Sequence, residues 1–222
     1  MNRLLTSLAL AALLLVPSIG LSQDKPAAPP QTIALLPPKL DTGTTLMQAI
    51  SKRRSQREFD PAPLTQQQLS DVLWVAGGIN RPETKGLTIP TAMGSKEIDL
   101  YAMLPEGIYA YDPVQHLLTL VNPGDHRAMA GKQPFAGKAP LNLFLVIDEA
   151  RMRAKEAEAK QIYGAMTAAY ASENVYLYCA SAELATVVRG AIDVPLLSKL
   201  LKLKPTQRLY LGQSVGKALA GK

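Results

Sequence analysis

The chain has 222 residues, with 24 Lys and Arg against 18 Asp and Glu, for a net charge of +6. The basic residues are scattered and do not alternate with aromatic ones, which argues against nucleic acid as a partner. A single cysteine, Cys179, excludes an intrachain disulfide. Two histidines and no cysteine cluster leave no metal-ligand spacing. There is no Walker motif or dinucleotide glycine motif.

In chain order, residues 1–22 read as a signal peptide. Arg3 forms a short positive n-region, Leu4 to Val16 an apolar core, and Pro17 breaks the helix before the small residues Gly20 and Ser22. The apolar run is short for a bilayer span. The expectation is therefore an exported chain, periplasmic or secreted, with no stable membrane insertion after cleavage; an uncleaved anchor is the alternative. The mature charge becomes 23 basic against 18 acidic residues, or +5. Residues 23–44 are rich in Pro and Ala and read as an extended, partly mobile arm, leaving residues 45–222 as one domain.

Leu46 to Arg53 predicts a short amphipathic helix. Thr65 with Gln68 forms a capping box that opens a second helix, Gln66 to Ala76, which Gly77-Gly78 ends. The period then changes to two. IDLYAML, GIYAYD and HLLTLV predict antiparallel strands, and APLNLFLVID a buried central strand. From Glu149 to about Val187 the Ala-rich spacing predicts one long helix or two in succession. Cys179 sits in the apolar run VYLYCASA and reads as a buried small side chain. Pro195 opens a short helix, and QRLYLGQSV closes as a strand. Helices in blocks and strands in blocks make the class α+β.

The stretch SKRRSQREFD raises a chemical question. A basic run is ordinarily a solvated helix end. A phosphate dianion, however, needs several charge-assisted donors converging from one short element. On a continuing helix, Arg53 and Arg57 lie one turn apart on one face, with the Ser55 hydroxyl nearby and Arg54 pointing elsewhere.

Several segments together resemble the nitroreductase-like FMN oxidoreductase family, with similarity closest to the branch of the thiazoline and oxazoline dehydrogenases. RRSQR resembles the family's first-helix motif, PTAMGSKEIDLYAM its Pro-Ser-Ala stretch, and GIYAYDPVQHLL the hairpin of this branch. DHRAMAGKQPFAGKAPLNLFLVID and ENVYLYCASAELATVVRGAID resemble the next two blocks. The similarity runs from Leu46 to Lys217. It implies an antiparallel-rich mixed sheet flanked by helices, a homodimer whose flavin sites draw on both subunits, and FMN as cofactor. Arg53, Arg54, Ser55 and Arg57 would hold the phosphate and ribityl chain. Pro90, Thr91, Ala92 and Gly94 would border the ring, with Thr91 donating a hydroxyl bond. Val188, Arg189 and Gly190 would offer backbone N–H groups to the reactive edge, and Lys217 would return to the phosphate. The plain alternatives are a Pro-led turn, a helix C-cap glycine and a tail lysine.

The chain departs from the family pattern at several points. Thr91 replaces Ser, and Gly94 and Lys96 replace an Asn and a Gln. Thr167 and Ala169 stand where Asp and Gly are frequent, Glu173 replaces a Gln, and Glu183 takes a usual Gly. Gly216-Lys217 replaces a Gly-Tyr-Pro ending. The resemblance implies an enzyme passing hydride through flavin N5 by a ping-pong mechanism. It implies a small-molecule substrate and an electron donor or acceptor that it does not identify. Tyr101, Tyr109 and Tyr111 are candidates for the substrate slot or for half-buried packing. The competing reading is a non-catalytic flavin-binding or scaffold protein with the same fold. Flavin colour in the purified chain discriminates the two.

Overall fold

The computed structural model describes residues 28–219; the expected leader, residues 1–22, lies outside the described residues. The chain runs β1 (Thr32–Ala34), α1 (Leu46–Lys52), β2 (Phe59–Asp60), α2 (Gln66–Gly77), β3 (Ile79–Arg81) and β4 (Gly86–Leu87). It continues through β5 (Ile98–Met103), β6 (Gly107–Asp112), β7 (Leu117–Pro123), β8 (Leu141–Asp148) and α3 (Ala157–Ser181). It ends with β9 (Leu184–Arg189), α4 (Val194–Leu200) and β10 (Gln207–Ala218). Among the described residues the main sheet has eight strands in the order β1-β7-β6-β5-β8-β10-β2, with β9 also paired to β10. Every described pairing in it is antiparallel. The α+β class read from the sequence is the class observed.

The expected strands fall where alternation placed them, and β8 is buried along its whole length. That burial explains its continuous apolar run: both faces of β8 are covered. One face carries α2 and α3 over a core that includes Leu73, Leu100, Leu143, Leu145 and Val175. The other carries α4 and short 3-10 turns over Met103, Ile108, Phe144 and Leu197. The capping box forms as read: Gln68 N–H donates to Thr65 Oγ1 at 3.2 Å, and Thr65 N–H to Gln68 Oε1 at 2.9 Å.

Three expectations need correction. First, α1 stops at Lys52, and Arg53 already has an extended ψ of 125°. Tertiary bonds pull the following loop off the helix: Gln56 N–H donates to Thr186 O at 2.9 Å. Arg53 and Arg57 therefore do not share a helix face. Second, the helical run expected from Glu149 to Val187 is helix only over α3. Glu183 adopts a left-handed φ of 56° just past α3, in the conformation that glycine supplies at helix ends. Beyond it the β-branched Thr186, Val187 and Val188 extend as β9. The usual glycine at this position thus has a conformational reason, which Glu183 meets against its own Cβ. Third, the arm is tied down from Thr32 onward. β1 pairs with β7, Leu36 N–H donates to Ser70 Oγ at 2.9 Å, and Lys39 N–H to Asp71 Oδ1 at 2.8 Å.

A buried polar knot joins β8, β9 and β10. The Arg189 guanidinium, 4% exposed, donates through Nη1 to Ala130 O and through Nη2 to Asn142 Oδ1, both at 2.7 Å. Ser214 Oγ donates to the same Asn142 oxygen at 2.7 Å, and Asn142 Nδ2 to Ala136 O at 2.9 Å. Burial pushes the Arg189 pKa down to about 10, which still leaves it cationic at neutral pH. Asn142→Leu removes the acceptor of two donors and the donor of one carbonyl. It should cost about 3 kcal/mol, because buried groups left unpaired lose their full solvation. Urea unfolding checks this: a midpoint close to that of the unsubstituted chain would contradict the role of the knot.

Candidate functional site

The site begins with the end of β10. Its pairing with β8 stops at Val215 opposite Leu141, but the strand continues, and Lys217 and Ala218 pair with Asp60 and Phe59 of β2. On its other edge β10 pairs with β9 through Lys217 opposite Leu184. The overhang therefore clamps the chain directly after the loop Arg53–Glu58. Phe59 is buried against Ala139, Ala185 and Val187, which fixes the exit of the loop.

Within the loop, Arg53, Arg54, Ser55 and Arg57 are all exposed. Arg54 and Arg57 line one cleft of about 360 Å³ with Gln56, Glu58 and Leu219. Arg53 and Arg54 line a second, of about 520 Å³, whose far wall is Cys179, Ala180 and Leu184. Arg54, which the helical reading pointed away, faces both clefts. The Arg53 guanidinium lies 5.2 Å from the centre of the Tyr176 ring and 3.9 Å from the Glu173 carboxylate. Ser55 Oγ and Tyr176 Oη are 2.7 Å apart.

Tyr176 also reaches the β9 segment. Val188 N–H donates to Tyr176 Oη at 3.0 Å, so this backbone donor is already used inside the chain. Arg189 stands opposite Gly212 in β10, its side chain committed to the buried knot. Gly190 is exposed, and a Cβ there would meet nothing within 4 Å, so its surroundings leave room for close approach.

The second group of candidates lies elsewhere on α3. Pro90, Thr91 and Ala92 line a cleft of about 340 Å³ with Met93, Met166 and Tyr170. Thr91 accepts the Lys96 N–H at 3.1 Å through its hydroxyl oxygen, leaving its own proton free. Gly94 and Met93 both take left-handed φ values, 65° and 52°. Below this cleft Thr167 donates to Glu97 Oε1 at 2.6 Å, a fully buried contact. Along α3 the Thr91 cleft ends at Tyr170 and the Ser55 contact lies at Tyr176, nearly two turns or about 9 Å further on. One chain thus unites the arginine loop with Val188 and, through strand register, with Lys217. It does not bring Pro90, Thr91, Ala92 and Gly94 to them.

The N-terminal half of α3, beside the Thr91 cleft, has an apolar and open face: Ile162 is 51% exposed, Met166 43% and Tyr170 40%. With Ala165 and Ala169, these recur at helical spacing along one side. Tyr176 is the one site residue that reading the sequence overlooked. It sits in the same apolar run as Cys179, and nothing in its spacing separates it from core packing.

The donor set suits a phosphorylated flavin. Three exposed guanidinium groups and a hydroxyl at one loop match a phosphate dianion, and the open Thr91 cleft has apolar walls for a planar ring. Among the described residues no group of His, Cys, Asp and Glu could hold a metal ion, and no helix is long and apolar enough to cross a membrane.

Comparisons with known proteins agree. Residues 50–217 match the Nitroreductase family. A chain from Methanocaldococcus jannaschii named "Putative nitroreductase" is 30% identical over 170 residues, covering 72% of this chain and 85% of its own. A crystal structure from Ralstonia eutropha with the same description is 39% identical, with a TM-score of 0.81 over 95% of this chain and 97% of that one. An NADPH:FMN oxidoreductase from Vibrio harveyi, solved with NAD+, shares the fold at a TM-score of 0.59 and 19% identity, over 78% of this chain and 68% of its own. The chain belongs to the nitroreductase family of flavin-dependent oxidoreductases.

Proposed function

We propose that this protein is an FMN-dependent oxidoreductase that works as a homodimer on a small molecule by a ping-pong mechanism. The observation that carries the reading is the grouping of Arg53, Arg54, Arg57 and Ser55 on one exposed loop, with Arg54 shared by its two clefts, clamped by the overhang of β10. FMN held here would supply the hydride chemistry, and the chain would supply position and electrostatics. Arg54 and Arg57 neutralise the phosphate, Arg53 adds charge from the Tyr176 side, and Lys217 lies close through its pairing with β2. Gly190 gives the reactive edge of the ring room beside β9.

The homodimer follows from the separation of the two groups of site residues. Pro90, Thr91 and Ala92 line a cleft that shares no residue with the two clefts of the arginine loop of their own chain. A second copy packed on the open stripe of Ile162, Met166 and Tyr170 would also bury apolar surface that water now covers. Residues 1–22 would direct export and be removed. Since NAD(P)H is a cytoplasmic donor, an exported enzyme would draw electrons from another donor or from its substrate.

Arg57→Ala and Arg54→Ala should each weaken FMN binding by about 1.5–3 kcal/mol, the worth of a charge-assisted bond, with a smaller loss for riboflavin. Fluorescence quenching with both flavins measures this, and equal losses would return the loop to a solvated basic turn. Met166→Glu places a charge in the apolar stripe and should convert dimer to monomer while releasing flavin. Sedimentation velocity reads the first effect and flavin absorbance of the gel-filtered protein the second; a variant that remains dimeric would contradict the proposed interface. A reporter fused to residues 1–22 should be exported and clipped near Ser22, whereas intact leader mass on membrane-bound protein would favour an anchor.

A further inference from the structure

Tyr176 is 6% exposed, and its ring lies beneath the Arg53 guanidinium. Its hydroxyl touches two groups among the described residues: Val188 N–H, which donates to it at 3.0 Å, and Ser55 Oγ at 2.7 Å. A phenol has one proton to give. The amide of Val188 can only donate, so the Tyr176 oxygen must accept there. The single acceptor left for the tyrosine proton is Ser55 Oγ. Were Ser55 instead to donate to Tyr176, the phenol proton would have no partner in a mostly buried place, which costs more than a neutral hydrogen bond returns. The proton order is therefore Val188 N–H to Tyr176 O–H to Ser55 O–H. Ser55 is exposed, and its own proton is left to point outward.

We propose that Tyr176 is a positioning residue that turns Ser55 into an outward hydrogen-bond donor for the FMN phosphate, by presenting its own phenol proton, whose direction the Val188 amide of β9 fixes. The inference rests on the assignment of the Arg53–Glu58 loop to that phosphate. A free serine hydroxyl rotates and spends part of its time as an acceptor facing the anion. With one of its two lone pairs occupied by the Tyr176 proton, the hydroxyl is held with its own O–H turned toward the anion, and successive hydrogen bonds along such a chain strengthen one another. The same side chain supports Arg53 through its ring, so one residue of α3 prepares both a neutral and a cationic partner of the phosphate.

A double-mutant cycle tests this. FMN and riboflavin are titrated by fluorescence quenching into the full chain, Tyr176→Phe, Ser55→Ala and the double variant. Tyr176→Phe should lose about tenfold in FMN affinity and change riboflavin affinity little. The double variant should be no weaker than Ser55→Ala alone, because the tyrosine acts through the serine. Losses that multiply, an equal loss for riboflavin, or no loss in Tyr176→Phe would overturn the relay. If Tyr176→Phe lacks a cooperative melting transition, 3-fluorotyrosine in place of Tyr176 decides. It keeps the shape and donates more strongly, so FMN should bind about twofold tighter with riboflavin unchanged, and a flat result would overturn the relay. An unsubstituted chain that binds no FMN would overturn the phosphate assignment and the relay together, whereas FMN bound with multiplying losses removes the relay alone.

Discussion

The site depends on two residues of backbone pairing. β10 outruns β8, and the overhang at Lys217 and Ala218 captures Phe59 and Asp60. Those bonds are ordinary ladder bonds, each contributing about 1 kcal/mol net. Their position matters more than their number. They anchor the exit of the arginine loop to the same strand whose other edge holds β9, so loop, β9 and strand end move as one unit. Gln56 N–H bonding to Thr186 O ties the middle of the loop to β9 as well. Four polar side chains on a solvated loop would otherwise sample many arrangements, and an anion would have to order them at its own cost.

The second constraint is α3. One helix carries the Tyr176 bridge on its C-terminal half and the wall of the Thr91 cleft on its N-terminal half. Its buried side packs on the sheet through Ala168, Ala171 and Val175, small residues that bring the helix close. Its outer side carries an uncovered apolar stripe of Ile162, Met166 and Tyr170. A helix that is apolar on both sides satisfies solvent on neither. This pattern is as much an energetic argument for a second copy as the division of the site is a geometric one.

Much of the fold was legible in the sequence because its signals are local. The Thr65 and Gln68 capping box, the alternation through β5 to β7 and the continuous apolar run of β8 each report on their own segment. The end of α1 was not legible, because bonds to β9 and Tyr176 from far along the chain decide it. The switch from α3 to β9 hid behind Glu183, whose left-handed backbone no propensity would assign to a glutamate. In the site, Arg53, Ser55 and Arg57 stood out as a cluster, yet the geometry first drawn for them was helical and the loop is extended. The bond from the Val188 amide to Tyr176 leaves no trace in the sequence. A backbone group's partner is a tertiary fact, invisible until the chain is folded.

The central claim is that this chain carries FMN. The direct measurement is the absorption spectrum of the purified, folded chain after incubation with excess FMN and gel filtration. The flavin is then released by acid and identified by mass. The account predicts retained flavin bands, a released species with the mass of FMN, and about one flavin per protomer, since the proposed two-fold dimer would form two equivalent sites. A colourless protein that keeps neither FMN nor riboflavin, while melting cooperatively, would contradict it.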